Sequence, residues 1–184
     1  MSRPTDKELE KMVWHILFEI QEFRSAYDSW LDVKAFLFDD RANWNRTLTS
    51  TLLHFRVLRE FFLRGPNCDD DVSAKYYVRE NMWGEERKRV RRGRRVLADD
   101  FIRDVHKHLA HLSTGRIKDN GVRWPIGEMR LAVEELIAAF KRSLATSKSG
   151  WFSKLESCAP SINITADSSP GIHTEIRFGE PFGK

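Results

Sequence analysis

The stretch from Trp44 to Arg64, WNRTLTSTLLHFRVLREFFLR, constrains the fold of this chain more than any other. Trp44, Leu48, Leu52, Phe55, Leu58 and Phe62 recur at helical spacing and form one apolar stripe. Leu53, Val57, Phe61 and Leu63 make much of the remaining circumference apolar as well. A helix that is hydrophobic nearly all round belongs in the middle of a bundle or against a partner chain. We read it as the core helix, closed by Gly65-Pro66. A homodimer through residues 44–64 is a natural way to cover its extra apolar face.

The flanking segments supply helices to surround it. Thr5-Asp6-Lys7-Glu8 fits a capping box, with Thr5 as the N-cap and Glu8 reaching back to its backbone N–H. Leu9, Met12, Val13, Ile16, Leu17, Ile20, Phe23 and Tyr27 follow at helical spacing, so helix one runs to about Trp30 and residues 31–43 form a connector. Asp71 is placed to cap a short helix, VSAKYYVREN. Leu97, Phe101, Ile102, Val105, Leu109 and Leu112 carry a third long helix to about Ser113-Thr114-Gly115. Trp124-Pro125 opens a fourth, with Ile126, Met129, Val133, Leu136, Ile137, Phe140 and Leu144 on one side. The expected fold is all-α, a four-to-five-helix up-and-down bundle over residues 1–150.

Residues 151–184 change character and form a C-terminal extension. SINIT (161–165) and GIHTEIRF (171–178) alternate apolar and polar around Ser169-Pro170-Gly171, which predicts a small β-hairpin packed on the helices. With 184 residues and 41% hydrophobic content, the chain can bury the core of one domain. No apolar run approaches the roughly 18 residues that span a bilayer, and the charged N-terminus is not a secretory signal. Cys68 and Cys158 lie far apart, without the spacing of a zinc knuckle or disulfide framework. The expected setting is cytoplasmic, with no membrane contact and no cofactor.

Charge is concentrated. The net charge is only +4, yet Arg87, Lys88, Arg89, Arg91, Arg92, Arg94 and Arg95 put seven basic residues within nine positions. Glu85, Glu86, Asp99 and Asp100 flank the run and offset part of it along the helix. Such a run is either a solvated face or a contact for nucleic acid or another polyanion, since the guanidinium fork suits phosphate.

Asp99 to Thr114, DDFIRDVHKHLAHLST, holds three of the six histidines. Asp104, His108 and His111 share one helical face, so Asp104 can fix the tautomer of His108 and leave its other ring nitrogen free for proton transfer. Arg103 lies five residues before His108, about 140° away around an ideal helix. The H-x-H-x-x-H spacing of His106, His108 and His111 also admits a metal, with His54 as the outside ligand, but catalytic zinc needs three converging ligands. The structural alternative is that His108 and His111 bond to Asp104 or to the core helix, where His54 would be a satisfied core histidine.

RDVHKH, Arg103 to His108, matches the signature of HEPN domains: Arg, then Asn, Asp or His, three further residues, then His. LLHFRVLREFF (52–62), DDDVSAKYYV (69–78) and HKHLAHLS (106–113) resemble more closely a group of uncharacterised bacterial all-helical proteins. That likeness covers roughly residues 5–145. The HEPN resemblance implies a dimeric, metal-independent endoribonuclease, in a toxin or defence setting with RNA and an antitoxin or other protein as partners. In it, Arg103 would stabilise the phosphorane, Asp104 would orient, and His108 would act as general base or acid, with His54 and His111 in support. A non-catalytic HEPN-like binding or scaffold module is the alternative, holding nucleic acid or a protein partner.

Overall fold

The computed structural model describes residues 3–36, 41–65, 68, 71–110, 123–155 and 174–175. Among them the fold is an all-α helical bundle. The helices are α1 (Asp6–Phe36), α2 (Arg41–Leu63), α3 (Glu80–Arg91), α4 (Asp99–Ala110), α5 (Ile126–Ser143) and the short α6 (Thr146–Ser149). No helix is long and apolar enough to cross a membrane, among the described residues.

The capping box forms as expected. The Thr5 backbone N–H and hydroxyl both donate to Glu8 at 2.8 Å, and the Glu8 backbone N–H donates to Thr5 Oγ1 at 3.3 Å. α1 then runs on to Phe36, past the Trp30 expected as its end, and α2 begins at Arg41. Nothing in residues 31–36 breaks a helix: the segment LDVKAF has neither Gly nor Pro. Aromatic pairs fix how the two helices lie. Trp30 meets Trp44 at 5.7 Å and Phe23 meets Phe55 at 6.3 Å between ring centroids. Earlier residues of α1 thus meet later residues of α2, so the helices are antiparallel.

α2 is the core helix. Leu48, Leu52, Phe55, Leu58 and Phe62 are buried, and Leu63 joins them. Phe61 and Phe62 both stack against Phe140 of α5, at 5.7 and 5.6 Å, and Phe61 also meets Tyr77. Much of the apolar surface that suggested a second subunit is therefore covered by this chain's own helices. Leu53 and Val57, one turn apart, stay exposed.

The segment expected as a short helix over 72–81 is instead a single 3-10 turn, Ala74–Tyr76. Asp71 does not cap it; its carboxylate accepts the Cys68 N–H at 3.0 Å. The following residues run alongside the end of α5. Arg79 N–H donates to Ser143 O at 2.8 Å and Ala145 N–H to Tyr77 O at 2.9 Å, which holds Val78 extended and delays α3 to Glu80. Tyr77 is buried, and its hydroxyl donates to Leu9 O at 2.9 Å. Burial raises its pKa.

Core packing continues through the 3-10 segment Gly150–Leu155, where Phe152 and Leu155 are buried and Phe152 meets Phe140 at 5.1 Å. Two residues, Arg123–Trp124 (β1), pair antiparallel with Thr174–Glu175 (β2). The hairpin expected from 161–165 and 171–178 lies outside the described residues except for 174–175.

Candidate nucleic-acid interface

α3 is seated by Trp83 and Val90, seven residues apart and both buried. The Trp83 ring packs edge-on against Phe140 of α5, 6.1 Å between centroids. This anchoring turns the charged residues of α3 outward. At its C-terminus Gly93 adopts φ +78°, a left-handed position that glycine takes without a Cβ clash. The chain turns there, and Arg94 and Arg95 come round to flank the residues before them rather than extending the helix.

Facing this turn is the outer side of α5. Leu131, Glu135, Ala138 and Arg142 are exposed and follow i, i+4, i+7, i+11 spacing along one stripe. Together the two elements enclose a cleft of about 410 Å³ lined by Arg89, Val90, Arg92, Arg94, Glu135, Ala138 and Arg142. Four guanidinium groups therefore border one cleft against a single lining carboxylate.

Carboxylates fix some of these arginines in place. Glu86 accepts a hydrogen bond from Arg142 and another from Arg89, both at 2.8 Å. Glu135 accepts two from Arg94, one at 3.2 Å and a shorter one. Lys88 reaches Glu85 at 2.9 Å. Among the described residues, Arg87, Arg91, Arg92 and Arg95 have no carboxylate within ion-pair distance. The seven-residue run is thus divided: three members neutralised in place, four available to an anion. Sequence alone marked the run but not Arg142, Glu135 or the pairing that holds the cleft. The spacing of Leu131, Glu135, Ala138 and Arg142 was the available signal.

The paired arginines, first Arg142 and then Arg89, hold the Glu86 carboxyl down at about 2. A carboxylate depressed in the folded state stabilises the fold fully above its unfolded value, near 4.5, and loses that contribution as pH falls toward 2. Glu86→Gln should therefore flatten acid unfolding between these values. At neutral pH it should cost under about 1 kcal/mol, because Arg89 and Arg142 are solvent-exposed. Urea melts of both proteins across that pH range check this.

The histidine segment lies on α4. Arg103 is exposed at 74% of its side chain and pairs with Asp100, one turn back. Asp104 is exposed as well. The His108 backbone belongs to α4, while its side chain and all of His111 lie outside the described residues.

His54 is half-buried and finds its partner on α1, with Nδ1 2.8 Å from Glu19 Oε2. His106 lies 3.6 Å from Glu60 of α2, and burial, then the Arg56 charge, lower its pKa. No three His, Cys, Asp or Glu side chains are grouped to hold a metal ion, among the described residues.

Set against protein-family models, curated proteins and solved structures, the chain matches none.

Proposed function

We propose that this domain binds nucleic acid through the arginine surface of α3, the turn at Gly93 and the outer stripe of α5. The observation that carries the reading is the cleft bordered by Arg89, Arg92, Arg94 and Arg142, beside further arginines without carboxylate partners. Guanidinium forks grip phosphate oxygens, and release of counterions from the nucleic acid supplies much of the free energy. Trp83, the aromatic residue of α3, is buried beneath the arginines and offers no stacking platform. Contacts would then fall on phosphates, which position a strand without reading its bases.

The test is fluorescence anisotropy with short labelled RNAs of different sequence at low salt. The expected result is saturable binding with nearly equal affinity for each. Absence of binding, or strong discrimination between sequences of equal length, would overturn the reading.

A ribonuclease reading rests on a second observation. The carboxyl of Asp99, at the start of α4, is lowered first by the Arg59 hydrogen bond and then by the Arg91 and Arg64 charges. Arg103 follows Asp99 by one helical turn, so the end of α3 at Arg91 borders the start of the helix that carries Arg103. RNA held there would lie over α4. Attack by a ribose 2′-hydroxyl on the adjacent phosphate, its proton passing to His108, would break the bond from phosphorus to the next nucleotide's 5′-oxygen. That oxygen takes up a proton from water and leaves as a 5′-hydroxyl. A 2′,3′-cyclic phosphate end remains, and Arg103 would balance the phosphorane charge. This predicts metal-independent cleavage in EDTA that disappears in His108→Ala. Intact RNA with the wild-type protein would leave binding alone. A homodimer through α2 would use Leu53 and Val57.

A further inference from the structure

A second cleft lies away from the arginines, between α1, α2 and the loop before the 3-10 turn. It measures about 490 Å³, and Met12, Ile16, Val57, Phe61 and Val72 form its apolar walls. Its charged members are Glu19, Glu60, Asp71 and Arg64. In a chain of net positive charge, this cleft carries the opposite balance among the described residues.

The three carboxylates are not equivalent. Asp71 is engaged by the Cys68 N–H. Glu60 is surrounded by cations and a ring nitrogen: Arg56 at 3.3 Å, Arg64 at 4.0 Å and His106 at 3.6 Å. Among the described residues Glu19 meets His54 alone, whose Nδ1 approaches at 2.8 Å, and no lysine or arginine lies within ion-pair distance of it. Glu19 is therefore the cleft carboxylate that neither a lysine or arginine nor a backbone N–H engages, set beside an apolar slot.

Ser73 lines the same cleft. Its side chain is buried at 3% exposure, and its Oγ has no hydrogen-bond partner among the described residues. A buried hydroxyl without a partner destabilises the fold, and a ligand group bonding to it would remove that cost. Met12 and Glu19, which line the slot along α1, are seven residues apart, or about 10 Å of helix.

We infer that this cleft binds a small organic cation: a primary ammonium at Glu19, an apolar chain along Ile16, Val57 and Phe61, and a hydroxyl or amine at Ser73. Concave sites of this size, mostly apolar with few convergent polar groups, are the usual form of small-molecule pockets. The inference stands apart from nucleic-acid binding, since none of the cleft residues belongs to the arginine surface.

The probes are 8-amino-1-octanol, octylamine and octanoate, each titrated into the full chain while the thermal midpoint and NMR shifts of the Val57 and Ile16 methyl groups are followed. The amino alcohol should bind saturably and raise the midpoint, and octanoate should bind at least tenfold more weakly. Glu19→Gln, which preserves the shape and the His54 contact, should weaken both amines at least tenfold. Ser73→Ala should weaken the amino alcohol but leave octylamine unchanged. Equal binding of octanoate, equal binding by Glu19→Gln, or no saturable change would overturn the inference. An equal effect of Ser73→Ala on both amines would overturn the role of Ser73. A triple Arg91, Arg92 and Arg95 to Glu variant should bind the amino alcohol as the wild type does, whatever it does to RNA.

Discussion

Glu134→Ala should destabilise the fold by up to about 3–5 kcal/mol, the range for removing one partner of a buried ion pair. Glu134 on α5 receives both ends of the Arg24 fork from α1, Nε at 2.8 Å and NH2 at 2.6 Å. Arg130, one turn earlier on α5, lies 3.1 Å from the same carboxylate. Both arginine side chains are almost wholly buried, at 8% and 5% exposure. A Tyr27 ring 5.1 Å from the Arg130 guanidinium adds a cation–π contact. Desolvation already lowers the Arg130 pKa, with Glu134 the main opposing charge. Without that carboxylate, two buried cations lose the countercharge they share across the α1–α5 contact, and Asp28 remains as a weaker opposing charge on Arg130. Glu134→Gln keeps the shape and one acceptor, so its loss should be smaller. Urea denaturation of the two variants beside wild type measures the difference. A loss below about 1 kcal/mol in Glu134→Ala would mean that the arginines find water or another partner, and that this cluster does not hold α1 to α5.

Replacing Arg91, Arg92 and Arg95 together by glutamate should weaken RNA binding at least about 100-fold, because charge reversal removes phosphate contacts and adds repulsion in their place. These three are exposed and have no carboxylate within ion-pair distance among the described residues, so their loss breaks no internal pair. The thermal midpoint should stay close to wild type. That separation distinguishes them from Arg89, Arg94 and Arg142, whose removal would also release Glu86 or Glu135. Binding unchanged in the triple variant would place the interface elsewhere.

The helical class was legible because apolar spacing alone reports it: the α2 stripe from Leu48 to Phe62 is buried as its period predicts. Boundaries were less legible. Residues 31–36 carry no helix stop, yet they also lack the long apolar period that marks a helix, and α1 continues through them. Over residues 72–79, pairing with the end of α5 overrides a sequence that reads as helical, because Arg79 N–H bonds to Ser143 O and Ala145 N–H to Tyr77 O. The arginine run was visible as composition, and Lys88 and Arg89 pair with Glu85 and Glu86 three residues before them, but Arg94 pairs with Glu135, 41 positions away. Buried charge was the hardest to foresee. Arg24 and Arg59 fall on none of the apolar stripes, yet both are buried, and Arg59 donates to Leu97 O at 2.9 Å and to Asp99. Local sequence carries no sign of either partner.

The measurement that tests the central claim most directly is the salt dependence of single-stranded RNA affinity, for wild type and Arg92→Gln. Four arginines without carboxylate partners predict a slope of log K against log salt of about −3, and one fewer contact should make it shallower by about 0.7. Affinity that does not change with salt, or equal slopes for the two proteins, would contradict phosphate recognition by this surface.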